Sequence, residues 1–153
     1  MLRLSKKADY ALMAMKHLAL RSDRGSSSAR EIAEQYDIPI ELMAKVLQRL
    51  VRRGLLASQQ GTRGGSQLAR AAVEISVADV IQAIDGPVTV TACSTDEGSS
   101  ACDQFAKCNV RDPLRRVRER IAAALGECTI AELASDTPSP VETTRAAVFH
   151  THL

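Results

Sequence analysis

The stretch 28–69 constrains the fold of this 153-residue chain more than any other. Ser28 with Glu31 makes a capping box, which starts a short helix ending near Gln35. Tyr36-Asp37-Ile38 leaves room only for a tight connection. Pro39 suits the first turn of a second helix, which runs to Arg53 and stops at Gly54. Leu42, Val46, Leu47 and Leu50 give that helix a core face. Leu55-Leu56-Ala57 and Gln67-Leu68-Ala69 then read as two short strands around a flexible tip, Gly61-Thr62-Arg63-Gly64-Gly65. A short helix, a tight turn, a second helix and a hairpin together are the pattern of a winged helix-turn-helix.

The remaining elements extend a mainly α fold. With two Phe, two Tyr and no Trp, the core must be Leu, Ile, Val, Ala and Met, which favours helices. Leu4, Ala8, Leu12, Met15 and Ala19 recur at helical spacing and predict a first helix over about 5–21. Ser76 and Asp79 cap another helix, with Val77, Val80, Ile81 and Ile84 on one side and Gly86-Pro87 at its end. Residues 88–111 show little periodicity and read as a long loop, a feature that is usually functional in a compact domain. Asp112 as N-cap and Pro113 at the first position open a last strong helix to Leu125, closed by Gly126. From Ser135 the chain is rich in Pro, Ser and Thr and reads as a disordered tail. The expected organisation is a winged helix-turn-helix domain over 1–86, a cysteine loop over 87–111, a long dimerisation helix with a return segment over 112–134, and a disordered tail over 135–153.

Charge is divided between the halves. Residues 1–70 carry 13 Lys/Arg against 6 Asp/Glu, and residues 71–153 carry 7 against 12, which leaves the overall net charge at +2. A basic first half is what a polyanion requires, although a solvated basic face has the same composition. If the helix over 39–53 enters a DNA major groove, Glu41, Ala44, Lys45 and Gln48 face outward to read bases. Arg49, Arg52 and Arg53 are placed for phosphates, which position a protein without reading sequence. Arg63 among glycines at the hairpin tip can enter a minor groove, or simply stand solvated at a turn.

Three cysteines, Cys93, Cys102 and Cys108, fall within sixteen residues. The gaps of eight and five residues let a loop fold back on itself and exclude the two-residue gap of a zinc ribbon or thioredoxin motif. Thiolates are soft donors that suit iron–sulfur clusters, zinc and Cu(I). Three sulfurs leave one coordination position for another residue, a small molecule or solvent. A zinc site, a thiol redox switch and three unlinked thiols are the other readings of the same residues. Cys128, twenty residues further on, reads as a small apolar residue. No histidine lies in the loop, and His17, His150 and His152 read as bland.

Leu114, Val117, Ile121 and Ala124 are spaced 3, 4 and 3 apart, a heptad seam for a dimerisation helix about 22 Å long, or for packing on its own domain. The apolar run 11–20 is broken by Lys16 and His17 and is too short to span a bilayer, so a cytoplasmic protein without a membrane segment is expected. A reducing compartment favours metal or redox chemistry over structural disulfides. No Ser/His/Asp set, phosphate loop or carboxylate pair stands out, and a thiol nucleophile has no base partner in sequence, so an enzyme is not expected.

These pieces resemble the Rrf family of bacterial winged-helix regulators. The resemblance rests on the opening Leu4-Ser5-Lys6-Lys7-Ala8-Asp9-Tyr10-Ala11-Leu12, the helix-turn-helix to Gly54-Leu55-Leu56, the Gly61-Thr62-Arg63-Gly64-Gly65 wing, and Cys102…Cys108 followed by Pro113-Leu114. It covers about residues 1–134 and is most like the Suf-system branch. It implies a homodimer on a double-stranded DNA operator, with an iron–sulfur cluster, 2Fe–2S ahead of 4Fe–4S, held by Cys93, Cys102 and Cys108. Isc-type members supply a histidine shortly after the third cysteine, where this chain has Arg111. The nitric-oxide sensor of the family uses an aspartate near the start of its first helix, from the other subunit, and Asp9 matches that position; a surface aspartate paired with Lys6 or Lys16 is the alternative. The function expected from the resemblance is repression of iron–sulfur assembly genes. Nitric-oxide or redox sensing is the second reading within the family. An iron–sulfur electron carrier or cluster carrier is the reading from another class.

Overall fold

A computed structural model describes residues 3–94 and 102–135. The expected disordered tail therefore falls, apart from Ser135, outside the described residues, as does the middle of the cysteine loop. The elements in order are α1 (Lys6–Leu20), α2 (Ala29–Gln35), α3 (Ile40–Arg52), β1 (Leu56–Gln59), β2 (Gly65–Leu68), α4 (Val77–Asp85), α5 (Arg111–Glu127) and α6 (Ile130–Ala134). Short 3₁₀ turns occupy Ala72–Glu74, Ala92–Ser94 and Phe105–Lys107.

Local chemistry explains most boundaries. Ser28 and Ser76 cap α2 and α4 through complete capping boxes with Glu31 and Asp79, as their sequences predict. Pro39 is the N-cap of α3 instead of a first-turn residue. Helix α5 begins one residue before the expected cap, so Asp112 lies in its first turn, and it runs through Gly126 to Glu127, with Cys128 as its C-cap. A helical glycine costs only about 1 kcal/mol, too little to end a helix by itself. Thr129 and Glu132 form a third capping box and start α6, a short helix within the expected return segment.

The core lies where α1, α3, α4 and α6 meet. Met15, Leu18, Ile32, Met43, Leu50, Ile75, Ile130 and Val80 are its largest buried side chains, so α2 and the segment before α4 contribute as well. The buried stripe of α1 is Ala8, Ala11, Ala14, Met15, His17 and Leu18, displaced from the expected one: Leu4 is exposed and Leu12 and Ala19 are half-buried. On α3 Met43 takes the buried position expected for Leu42. The return segment is fastened to the start of α4: Ile130 N–H donates to the Ile75 carbonyl and Val77 N–H to the Cys128 carbonyl, both at 2.8 Å.

His17 is a buried polar exception. Its Nδ1 stands 3.0 Å from the Tyr36 hydroxyl and its Nε2 3.5 Å from the Ser27 hydroxyl, so it ties α1 to both ends of α2. Burial, with the Arg21 charge, holds its pKa below the ordinary 6.5, and Glu31 opposes this weakly. The unfolded chain therefore binds the proton better than the folded one. The neutral ring's contribution is complete above about pH 6.5 and is lost as the pH falls from there through the lowered pKa. The thermal midpoint is expected to drop more steeply between pH 7 and 5 in the wild-type chain than in His17→Gln. Parallel profiles would show that His17 does not titrate on unfolding.

Candidate functional site

The helix-turn-helix is built by α2, the turn at Tyr36–Ile38 and α3. Asp37 adopts φ 53, the left-handed conformation that Asp tolerates better than most residues, and so turns the chain within three residues. With Met43, Val46, Leu47 and Leu50 buried, α3 shows Glu41, Lys45, Gln48 and Arg52 to solvent, while Ala44 is half-buried. Arg53 is exposed at the C-cap. Arg49 behaves differently from the expectation of a purely outward phosphate contact. Its Nε donates to the Ala83 carbonyl at 2.9 Å and fastens α3 to the end of α4.

The wing strands lie one to two residues nearer the tip than expected, at 56–59 and 65–68 instead of 55–57 and 67–69, while Ala69 N–H still donates to the Leu55 carbonyl at 3.1 Å. Leu56 pairs with Leu68 and Gln59 with Gly65, so Gly65 belongs to a strand and the tip is 60–64. The cause is tertiary. Ser27 and Ser66 exchange both backbone hydrogen bonds, at 3.0 and 2.8 Å, which welds β2 to the segment before α2. A Cβ on Gly65 would meet the Ser27 carbonyl oxygen, so only glycine fits. The Ser26 hydroxyl also donates to the Arg63 carbonyl at 3.0 Å, fixing the backbone of the tip while the Arg63 side chain stays exposed.

The last turn of α4 is a junction. Asp85 accepts from both the N–H and the hydroxyl of Ser5, while the Ser5 hydroxyl accepts from Ala8 N–H and caps α1. Ala83 holds Arg49 of α3 in the same turn. Gly86 follows with φ 83, and from there the chain leads to the cysteines.

No disulfide joins Cys93, Cys102, Cys108 or Cys128, and all four are half-buried. Cys93 sits in the Ala92–Ser94 turn, its Sγ 3.1 Å from the Thr91 hydroxyl. Cys102 and Cys108 flank the Phe105–Lys107 turn, and Phe105 N–H donates to the Cys102 carbonyl at 3.1 Å. Arg111 lies over the Phe105 ring, 4.7 Å from its centroid, and donates to the Phe105 carbonyl at 3.2 Å. A cavity of about 280 Å³ lies between Cys93, Phe105 and the first turns of α5. Among the described residues no three His, Cys, Asp or Glu side chains stand close enough to share one metal ion. Asp9 is exposed on the first turn of α1 and forms no ion pair with Lys6 or Lys16 among the described residues.

Helix α5 carries no buried residue over its 17 positions. Val117 is 42% exposed, Leu114 and Ile121 are half-buried and Ala124 is exposed, so the heptad seam is only partly covered by its own chain.

Residues 4–136 match the Rrf2 family, described as an iron-dependent transcriptional regulator. This chain belongs to the Rrf2 family. It is 36% identical over 135 residues to the HTH-type transcriptional regulator IscR of Serratia proteamaculans, covering 88% of this chain and 80% of that protein. The IscR of Cronobacter sakazakii is 33% identical over a similar span, 88% of this chain and 82% of that protein. Among solved structures, CymR, the global cysteine regulator of B. subtilis, superposes with a TM-score of 0.71 at 28% identity, over 90% of this chain and all of that one. The T. potens IscR structure shares the fold, with a TM-score of 0.69 at 23% identity, over 93% of this chain and 96% of that one. This Rrf2-family chain is thus a DNA-binding transcriptional regulator of the IscR type with a winged-helix fold, and not an enzyme. No helix among the described residues is long and apolar enough to cross a membrane.

Proposed function

We propose that this regulator is a homodimeric, iron–sulfur-dependent repressor of iron–sulfur assembly genes. The observation that carries the reading is the position of three disulfide-free, half-buried cysteines. They lie on the segment that joins the DNA-binding unit to a helix with no fully buried residue. The donor chemistry fits an iron–sulfur cluster, 2Fe–2S ahead of 4Fe–4S, because soft thiolates are its usual ligands. Cys93, Cys102 and Cys108 would hold it, with Asp9 of the partner subunit as the remaining ligand. When bound, the cluster supplies one-electron redox chemistry and releasable iron. Leu114, Val117, Ile121 and Ala124 would form the seam between two α5 helices, and dimers of this class read two half-sites.

The chain's own residues offer a path from loop to DNA. The root of the loop is Gly86, next to Asp85, which holds the start of α1 through Ser5. Ala83, two residues earlier, holds Arg49 of α3. A shift of this turn therefore reaches both helices. On the DNA side, Glu41, Ala44, Lys45 and Gln48 would meet base edges, Arg49, Arg52 and Arg53 phosphates, and Arg63 the minor groove.

Anaerobic purification followed by visible absorption and iron and sulfide analysis tests the reading. Equal iron and sulfide in the chain are expected, with a charge-transfer band that bleaches in air. Zinc instead of iron, or metal-free thiols, would overturn it. Asp9→Ala is expected to keep iron and sulfide but to alter the spectrum and speed bleaching; an unchanged spectrum and lifetime would remove Asp9 from the ligand set.

A further inference from the structure

The recognition helix has a groove on each side. Gln48 and Arg52 line both of them, so α3 is the ridge between. One groove is shared with the wing, through Ser58, Gly65 and Ser66. The other, about 880 Å³, runs between α3, the start of α1 and the end of α4. Five cations, Lys6, Lys7, Lys45, Arg49 and Arg52, line this second groove against one carboxylate, Asp85. The Asp85 carboxylate is already engaged by the N–H and hydroxyl of Ser5. Lys6, Lys7, Lys45 and Arg52 are exposed and form no ion pair among the described residues.

A ridge that enters a major groove about 12 Å wide must meet a phosphate strand on either side. The groove shared with the wing would take one of them. We infer that Lys6 and Lys7, at the start of α1, form a phosphate-binding edge for the other strand. This inference rests on the proposal that α3 is the helix that reads DNA. Nothing local in the sequence separates these two lysines from ordinary surface charge; the tertiary position of α1 beside α3 does, and Ser5–Asp85 maintains it. The contact is with backbone, so it adds affinity without reading sequence.

The test is fluorescence anisotropy of the wild-type full chain and of the Lys6→Gln/Lys7→Gln double variant, on operator and random duplexes from 50 to 200 mM salt. Two lost phosphate contacts should lower the salt slope by about two. The ratio of wild-type to variant affinity should then shrink about tenfold across that salt range, alike on both duplexes. Lys6→Arg/Lys7→Arg should keep the wild-type slope, and all variants should keep the wild-type thermal midpoint. Neutral methylphosphonates placed in the strand flanking α3 on the α1 side should erase the difference between wild type and double variant. An unchanged slope, a loss confined to the operator, or a difference that survives phosphate neutralisation would overturn the inference. If substitutions at Lys45 and Gln48 leave DNA affinity untouched while the lysine pair matters, the assignment of α3 as the reading helix fails instead.

Discussion

Alanine at Cys93, Cys102 or Cys108 is expected to abolish stable cluster binding, while alanine at Cys128 leaves iron and sulfide at the wild-type level. Each of the first three lies between α4 and α5, half-buried and outside any disulfide. A cluster held by three thiolates and one weaker donor cannot lose a thiolate and keep its full coordination. Cys128 has another task. It is the C-cap of α5, and its backbone carbonyl takes the Val77 N–H at 2.8 Å, an interaction any residue provides. Alanine there removes a small, half-buried side chain, so a stability change within about 1 kcal/mol is expected. Iron and sulfide per chain after anaerobic reconstitution, with circular dichroism to confirm folding, decide it. Full cluster content in any of the three loop variants, or its loss only in Cys128→Ala, would reassign the ligands.

Gly65→Ala is expected to be the most damaging glycine-to-alanine change among the described residues. The new Cβ would press on the carbonyl of Ser27 and also lie 2.9 Å from the backbone nitrogen of Ser28. Both obstacles are backbone, so neither can rotate away. Relief requires the wing to leave the Ser27–Ser66 bridge, whose two hydrogen bonds set its position beside α2. Overpacking of this kind costs about 1–3 kcal/mol. In a domain of this size that lowers the thermal midpoint by roughly 3–10 °C. Displacement of Arg63 with the wing should weaken operator binding about tenfold or more, the scale of one lost groove contact. Gly126→Ala is the control: its Cβ meets nothing and it sits inside α5, so it should be neutral or stabilising by up to about 1 kcal/mol. Thermal unfolding and operator anisotropy of both variants test this. A Gly65→Ala chain with wild-type midpoint and affinity would show that the wing does not depend on the bridge.

The features that could be read from sequence are those that act over a few residues. Ser28/Glu31 and Ser76/Asp79 announce their helices because both partners lie three apart. Thr129/Glu132 carries the same signal, and the return segment was a helix for the same reason. The extension of the wing strands to Gln59 and Gly65, by contrast, brings Ser66 against Ser27, nearly forty residues away, a contact that the local strand propensities of the wing cannot announce. The basic helix marks Arg49 for a phosphate, but its hydrogen bond to the Ala83 carbonyl is not legible because it depends on how α4 packs. Nothing in the sequence places Lys6 and Lys7 at a DNA edge, since their position beside α3 comes from the fold. For the cysteines, spacing and chemistry are legible, but their mutual geometry is not a property of spacing.

In the proposed mechanism the state of the cysteine loop sets DNA affinity. The direct measurement is the operator dissociation constant of one anaerobic preparation, before and after chelation strips the iron, at fixed salt. A change of at least tenfold, about 1.4 kcal/mol of coupling, is expected, with affinity for random DNA nearly unchanged. Equal operator affinity with and without iron would contradict it.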